Sequence, residues 1–230
     1  MQAEVLIIGD SHTDTLARGC ERLGIEYHHV RASGGAWFEG KYAFHPGRGL
    51  IAQPGPPKKK LNAVKEQMGV DNIFDAGLPV IASFGFNMGM LMSAVSAFDH
   101  GIAAADGSCG ENAQTVLSRG FAQQYIEASN GKNFRIIKNI AKVADLTMVV
   151  PPRADARHNR LQFVELICDR MVQLGADVFD PSVMITKDMT TALDRKWLNE
   201  DGVHACPDYG ELAVKTLLDH GVFGQKKAAA

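Results

Sequence analysis

Short apolar runs alternate with helical patterns along most of the chain. The first run, 5–8, is followed by Gly9-Asp10, and four consecutive apolar residues are typical of a strand buried on both faces of a sheet. The pattern predicts further strands at 25–30, 78–84, 146–150 and 177–179. It predicts its clearest helices at 16–23, 160–174 and 207–220, where apolar residues recur at helical spacing and a glycine follows. This alternation indicates an α/β protein with three α/β/α layers around a mostly parallel, five-stranded sheet.

The polar residues that follow the predicted strands indicate where a site would lie. Ligands of such sheets bind beyond the carboxyl ends of the strands. The segments 9–11, 85–87 and 151–153 each follow a predicted strand. We therefore expect these three segments to share one rim of the sheet.

Two segments do not fit a minimal fold of this kind. The first, near 37–70, is rich in glycine and proline, and the second, near 99–133, ends in a helical pattern around 113–128. Both are interpreted as insertions at the rim that would shape a substrate pocket. The rest of 1–225 reads as one domain. The tail 226–230 reads as a disordered end or a cloning remnant.

Composition and charge exclude several classes of partner. The 230 residues are 46% hydrophobic and 22% charged, which is typical of a folded globular chain, and the formal net charge is −2. The one basic run, Lys58-Lys59-Lys60, is interpreted as a solvated loop, so no nucleic-acid partner is expected. There is no apolar stretch of about 18 residues and no signal-peptide pattern. A cytoplasmic protein that does not bind membranes is the resulting expectation.

Cofactor and metal motifs are missing as well. Cys20, Cys109, Cys168 and Cys206 lie far apart, in neither a zinc-binding nor a disulfide-scaffold spacing. No Gly-x-Gly-x-x-Gly follows the first strand, as a dinucleotide site would require. We therefore expect neither cofactor nor metal.

Four short motifs carry candidate chemistry, although each has an ordinary structural explanation when taken alone. Gly9-Asp10-Ser11-His12 stands between the first strand and the first helix, where a serine is either a nucleophile or a helix cap. Asp201 and His204 are spaced so that the carboxylate can orient an imidazole base, or they are simply a helix-entry Asp and a surface His. Asn87 follows the third strand and can donate to an oxyanion. The glycines of Ser33-Gly34-Gly35 allow close approach to a substrate or merely form a turn.

Taken together and in this order, these motifs resemble those of the SGNH (GDSL-type) hydrolase superfamily. The resemblance runs from Val5 to about Leu218 and implies a flavodoxin-like SGNH hydrolase fold. It implies that Ser11 is the nucleophile, His204 the base and Asp201 the residue that orients it. The implied oxyanion hole consists of the Ser11 N–H, the Asn87 amide and a glycine N–H, with Gly35 the first choice and Gly34 the second.

The sequence departs from the family pattern around these residues. Met88 stands where the family often has Asp, His12 replaces a Leu, and Ala205 follows the catalytic His where Pro is common. The Gly-Asp-Ser-His form resembles branches that act on acetylated sugars. The expected substrate is thus a small-molecule or saccharide ester with a short acyl or O-acetyl group, and the residues expected to bind it are Asp10, His12, Phe86 and Met88.

Two other functions remain compatible with the same motifs. An O-acyltransferase would use the same acyl-enzyme but pass the acyl group to a sugar hydroxyl. A non-catalytic carbohydrate- or ligand-binding module would keep the fold and the rim without turnover. The sequence does not define the oligomeric state.

Overall fold

The computed structural model describes residues 3–94, 100–102 and 115–223. In chain order its elements are β1 (Val5–Gly9), α1 (Thr13–Leu23), β2 (Tyr27–Arg31), α2 (Gly34–Phe38), β3 (Tyr42–His45), β4 (Gly49–Ala52), α3 (Pro56–Met68), β5 (Val80–Ser83), α4 (Met88–Ala94), β6 (His100–Ile102), β7 (Thr115–Leu117), α5 (Arg119–Ile140), β8 (Leu146–Val149), α6 (His158–Gln173), β9 (Asp177–Phe179), α7 (Pro181–Thr186) and α8 (Pro207–Asp219). A single 3-10 turn is described between α7 and α8, at Arg195–Trp197.

Five strands form one parallel sheet in the order β2-β1-β5-β8-β9. These are the five predicted strands, with ends that differ by one or two residues, so the predicted α/β sheet is confirmed. The strand order reverses between β1 and β5, because the chain moves outward to β2 and then returns to the other side of β1. In open α/β sheets such a reversal opens a crevice at the carboxyl ends of the two strands. The residues after Gly9 and after Ser83 therefore face one another.

Strand β1 is buried on both faces, as its unbroken apolar run predicts. Val5 and Ile7 pack with apolar residues of α1 and α8, whereas Leu6 and Ile8 pack with those of α3, α5 and α6. Successive side chains of a strand point to opposite faces, so one strand contributes to both cores. The three α/β/α layers are thereby confirmed.

Helices α1 and α8 cross in close contact on one face of the sheet. A Cβ added at Gly19 would lie 2.3 Å from the Gly210 carbonyl oxygen, and one added at Gly210 would lie 2.1 Å from that of Thr15. Only residues without a side chain allow the two backbones to approach this closely. The contact fixes the start of α1 relative to the loop before α8.

The segment 37–70 contributes regular structure and buried side chains. It forms the antiparallel β3–β4 hairpin and helix α3, and Tyr42, Leu50 and Leu61 are buried in the core. None of its residues lines the cavity that contains Ser11. The run Lys58-Lys59-Lys60, predicted as a loop, lies on the exposed side of α3. This segment therefore extends the core, and its part in shaping a pocket stays a prediction.

The helix predicted around 113–128 also has different ends. Ala113 lies outside the described residues, β7 occupies Thr115–Leu117, and α5 continues to Ile140. The carboxyl-terminal half of α5 packs against the sheet through Phe134, Ile137 and Ile140, so the described part of 119–133 belongs to a core helix more than to a rim insertion. None of the helices in the described ranges has the length and apolarity needed to cross a membrane.

Candidate active site

Ser11 lies in the tight connection between β1 and α1. A Cβ at Gly9 would lie 2.1 Å from the Ser83 carbonyl oxygen, so glycine is needed where β1 ends beside β5. Asp10 follows, and its Oδ1 accepts the His12 N–H at 3.0 Å while its carbonyl accepts the Thr13 hydroxyl at 2.6 Å. These bonds turn the chain at Ser11 and leave the serine side chain at the rim of the sheet.

His204 is presented by a tight turn before α8. The Gly202 backbone N–H donates to the Asn199 carbonyl at 2.9 Å. Gly202 has φ +70°, a conformation that favours glycine. Asp201 Oδ1 accepts the backbone N–H groups of Val203 and His204 at 2.8 and 2.9 Å. Oδ1 of Asp201 therefore stabilises the turn, and Oδ2 is left to contact the imidazole.

Asp201, His204 and Ser11 form one continuous chain of contacts. His204 Nδ1 lies 2.6 Å from Asp201 Oδ2, and His204 Nε2 lies 2.8 Å from Ser11 Oγ. The two residues at the ends of the second contact are 193 positions apart in the sequence. This arrangement allows the imidazole to take the serine proton through one nitrogen while the carboxylate orients it through the other.

A hydrogen bond from α1 holds the loop that carries His204. Thr15 Oγ1 donates to the Ala205 carbonyl at 3.1 Å, and Thr15 is buried. On the other side of the loop, the His204 carbonyl accepts the Asn199 N–H at 2.8 Å. The sequence analysis does not single out Thr15, although its place one helical turn after Ser11 puts it on the same side of α1.

The pKa values of the groups around Ser11 and His204 are shifted in different directions. The backbone N–H of Val203, followed by that of His204 and by the imidazole, holds the pKa of Asp201 well below its usual range. Burial raises the pKa of Asp10 to about 6. Burial, together with the neighbouring His204, lowers the pKa of His12 to about 4. Near neutral pH Asp201 is therefore a carboxylate and His12 is neutral.

His12 lies beside the base without replacing it. Its ring centroid is 4.9 Å from that of His204, with an angle of 34° between the planes. The contact to Ser11 Oγ comes from His204 Nε2. His12 thus packs on the His204 imidazole and makes no contact with the Ser11 hydroxyl among the described hydrogen bonds.

Asn87 lies in the loop between β5 and α4, directly before the first residue of α4. Its Nδ2 is buried and has no hydrogen-bond partner among the described residues. Asn87 lines the same cavity as Ser11 and His204. A buried donor without a partner costs stability, and an oxyanion in the cavity would supply the missing acceptor.

Gly34, and not Gly35, is the glycine that lies against Asn87. A Cβ at Gly34 would be 2.9 Å from Asn87 Oδ1, whereas one at Gly35 would face Glu39 and the Ser33 hydroxyl, 3.9 and 4.0 Å away. Ser33 caps α2 by accepting the Ala36 N–H, so the helix begins at Gly34 and turns Gly35 away from the cavity. Gly34 lines the cavity together with Asn87, which favours it over Gly35 for the oxyanion hole, and the choice between the two stays a prediction.

Two cavities of different character adjoin Ser11 and His204, which line both. The larger, about 490 Å³, has a mainly apolar lining; the smaller, about 150 Å³, has a polar one. Asp10, His12, Phe86 and Met88 all line the larger cavity, and their part in substrate binding stays a prediction. The sequence analysis missed the α6 residues that complete this wall, Leu161 and Val164, since their apolar pattern marks only a buried helix face. Within the described ranges, no three His, Cys, Asp or Glu side chains are grouped to hold a metal ion.

Comparisons with known proteins find likeness in structure only. No family model and no curated protein matches the sequence. A catalytic mutant of Axe2, an acetylxylan esterase from Geobacillus stearothermophilus, aligns over 98% of this chain and 96% of its own, with 10% identity and a TM-score of 0.49. The esterase EstA from Pseudoalteromonas sp. aligns over 94% of both chains, with 13% identity and a TM-score of 0.46. Est2A, an acetyl xylan esterase from Butyrivibrio proteoclasticus, aligns over 96% of this chain and 65% of its own, with 14% identity and a TM-score of 0.46. At these values the likeness is one of general outline, and the chemistry must be argued from this chain's own residues.

Proposed function

We propose that this protein is a serine esterase of the SGNH type, which hydrolyses a carboxylic ester through an acyl-enzyme. The observation that carries the proposal is the chain of contacts from Asp201 through His204 to Ser11, at 2.6 and 2.8 Å. The unpartnered Asn87 amide on the wall of the same cavity supports it. Nucleophile, base, orienting carboxylate and oxyanion donor are the four groups that acyl transfer requires.

In the first half of the reaction, Ser11 Oγ attacks the ester carbonyl carbon as His204 Nε2 takes the hydroxyl proton. The carbonyl π electrons move to oxygen, and the resulting oxyanion accepts hydrogen bonds from Asn87 Nδ2 and from the N–H groups of Ser11 and Gly34. When the tetrahedral intermediate collapses, the C–O bond to the alcohol breaks and the alcohol leaves with the proton from His204. Asp201 stabilises the imidazolium that exists between these two proton transfers.

In the second half, water takes the place of the alcohol. His204 removes a proton from the water as its oxygen attacks the acyl carbon, and the same donors hold the second oxyanion. Collapse breaks the acyl–serine bond, returns the proton to Ser11 Oγ and releases the carboxylic acid. An O-acyltransferase would differ only here, with a sugar hydroxyl in place of water.

A fluorophosphonate probe tests the assignment of the nucleophile. It is expected to label Ser11 at one site per chain and to leave Ser33 and Ser83 unmodified, because Ser33 caps α2 and Ser83 is buried. The variant Ser11→Ala, measured by circular dichroism to be folded, is the matched control and should not be labelled. Labelling at another serine, or a folded wild type that is never labelled, would contradict the proposal; the second result would favour a binding module.

A further inference from the structure

The larger cavity beside Ser11 has walls that suit an apolar group. Its apolar lining comes from Phe86, Met88 and Met90, after β5 and along α4, and from Leu161 and Val164 of α6. Met90 and Val203, at the mouth, expose 39% and 49% of their surface. Apolar surface of this kind gains free energy when an apolar ligand displaces water from it.

The size of the cavity exceeds what a short acyl group can fill. Its volume of about 490 Å³ equals that of about sixteen water molecules at their share of the liquid. An acetyl group has only three non-hydrogen atoms and would leave most of this space to water. Cavities of this volume commonly enclose most of a small organic ligand.

The carboxylates on the wall of the cavity are already engaged by neighbouring groups. Asp180 accepts from Arg153 at 2.6 Å, and both side chains are largely buried. Asp155 is paired with Arg157 and lies 3.6 Å from Arg160. Of these residues, all but Arg157 line the cavity, so its charged side chains are held in pairs at the edge of the apolar space.

The smaller cavity, on the other side of the dyad, has the opposite character. Its volume is about 150 Å³, and besides Ser11, Asp201 and His204 it is lined by Asp14, Thr15, Arg18, Arg31 and Asn199. That volume corresponds to about five water molecules. An ester carbonyl at Ser11 would therefore have a large apolar space on one side and a small polar space on the other.

We propose that the substrate is an ester that carries an apolar group longer than acetyl or ethyl, which binds between Met90 of α4 and Leu161 of α6. This inference rests on the proposed esterase function and names the class of substrate for the same site. The apolar group belongs either to the acyl part or to the alcohol, because both extend from the carbonyl carbon that Ser11 attacks. The O-acetylated sugar that the motif implies stays a prediction, and highest activity on the acetate and ethyl esters below would favour it.

Two ester series measured with the wild-type protein test the inference and locate the apolar group. The first holds the alcohol constant, from 4-nitrophenyl acetate to 4-nitrophenyl hexanoate; the second holds the acid constant, from ethyl acetate to hexyl acetate. Each buried methylene should raise kcat/KM by about fourfold, so four methylenes should give about 250-fold. A rise in the first series places the apolar group in the acyl part, and a rise in the second places it in the alcohol. If acetate and ethyl groups give the highest values in both series, the inference is overturned.

A bulky residue at the mouth should remove this preference. Met90→Trp is expected to lower the ratio of kcat/KM for the six-carbon ester to that for the two-carbon ester by at least about tenfold, which is less than the loss of two methylenes. Met184→Trp is the matched control, because Met184 exposes 38% of its surface, against 39% for Met90, and does not line the cavity. An equal change of the ratio in both variants would count against the inference.

Binding without turnover separates this inference from the proposed function. Calorimetry with folded Ser11→Ala protein should show hexan-1-ol binding about 250-fold more tightly than ethanol, by the same gain per methylene. If no ester in either series is hydrolysed but hexan-1-ol binds in this way, the esterase proposal fails and the apolar site stands. If esters are hydrolysed but the two alcohols bind equally weakly, the esterase proposal stands and the apolar site is overturned.

Discussion

The candidate site has two parts, called edges here, which differ in whether their polar groups have hydrogen-bond partners. On the catalytic edge, defined as Ser11, Asp201 and His204, the hydroxyl, the imidazole and the carboxylate are joined by hydrogen bonds. On the oxyanion edge, defined as Gly34 and Asn87, the Asn87 Nδ2 is buried and has no partner among the described residues. Groups that move protons must be held in one geometry before the reaction begins. Groups that stabilise a developing charge act best when their donor is not yet satisfied in the ground state.

The two edges also differ in what they contribute to the stability of the fold. The catalytic edge is fixed by the close α1–α8 contact and by the Thr15 bond to the loop of His204. The oxyanion edge costs stability, because a buried donor without an acceptor is unfavourable by about 1–3 kcal/mol. Substitutions on the catalytic edge should therefore break the hydrogen-bonded arrangement of Ser11, His204 and Asp201. Substitutions on the oxyanion edge should remove transition-state binding and leave the fold intact.

The largest effect is expected at the catalytic edge. His204→Gln should lower kcat/KM by about 10⁵-fold, because the serine loses the group that takes its proton. His12→Gln is the matched control: the same change of side chain on the neighbouring ring, which packs 4.9 Å from His204. It should cost less than about tenfold, since the contact to Ser11 Oγ is made by His204. Steady-state kinetics on one good ester decide the matter, and the assignment of the base fails if the two results are reversed.

Asn87→Ala should have the next largest effect. Loss of one oxyanion donor lowers kcat by about 10²–10³-fold with little change in KM. The variant should also unfold no more readily than the wild type, because Asn87 Nδ2 makes no hydrogen bond that the substitution would break. Kinetics and thermal unfolding are measured on the same preparation. An increase confined to KM, or a marked loss of stability, would place Asn87 in substrate binding or in structure.

Asp10 joins the two edges and gives a prediction about pH. Its Oδ1 accepts the His12 N–H, while its Oδ2 lies 3.9 Å from where a Cβ would stand at Gly34. Burial raises its pKa from 3.8 to about 6. The unfolded chain thus ionises Asp10 more readily than the folded protein, so its contribution to stability is fully present below about pH 4 and is lost as the pH rises through about 6.

Asp10→Asn should remove this dependence, because an amide does not titrate. The free energy of unfolding of the variant, relative to wild type, should rise by about 2 kcal/mol between pH 4 and pH 7, from a shift of about two pKa units. His12 acts in the opposite direction, since its pKa is lowered to about 4 and its contribution is lost as the pH falls from 6.5 through that value. His12 is present in both proteins, so the difference between them reports mainly on Asp10. Urea unfolding at pH 4, 5, 6 and 7 makes the measurement, and a difference that stays constant would refute the burial argument.

The sequence predicts the catalytic edge better than the oxyanion edge. Ser11 and Asn87 could be placed on one rim because parallel strands end on the same side of a sheet, and Asp201 could be paired with His204 because three residues span one turn. The choice between Gly34 and Gly35 depends on where α2 begins, and that depends on Ser33 capping the helix. Neither apolar pattern nor spacing contains that information.

The same limit explains the parts of the fold that the sequence analysis missed. The β1 run is apolar at every position and predicts a buried strand directly. The glycines and prolines of the segment 37–70 lie mostly between its helices and strands and at the ends of α3, so its composition suggests an insertion although Tyr42 and Leu61 are buried. The α5 pattern was recognised, but its first turn is set by the Ser118 cap, four residues before the buried Ala122. Helix caps and turns determine these boundaries. They depend on one or two residues each, so they are harder to recognise in the sequence than the apolar pattern of the core.

The smallest effect is expected from Thr15, which tests whether the catalytic edge depends on its anchor. Thr15→Val keeps the shape of the side chain but removes the hydroxyl that bonds to the Ala205 carbonyl at 3.1 Å. We expect a loss of about 1 kcal/mol in stability. We also expect kcat to fall by less than about tenfold with KM unchanged, because Asp201 still orients His204 while the loop that carries both is held less firmly.

The matched control for this variant lies on α8. Thr216 is also buried, and its hydroxyl donates to the Leu212 carbonyl within the same helix at 2.8 Å, without a link to the loop of His204. Thr216→Val should therefore cost similar stability but leave kcat unchanged, and Thr15→Ser, which restores a hydroxyl, should recover the rate lost in Thr15→Val. If both valine variants lower kcat equally, Thr15 acts only through overall stability. In that case the catalytic edge is held by its own turn, through Asp201 and Gly202, and the contact with α1 is not needed to position the base.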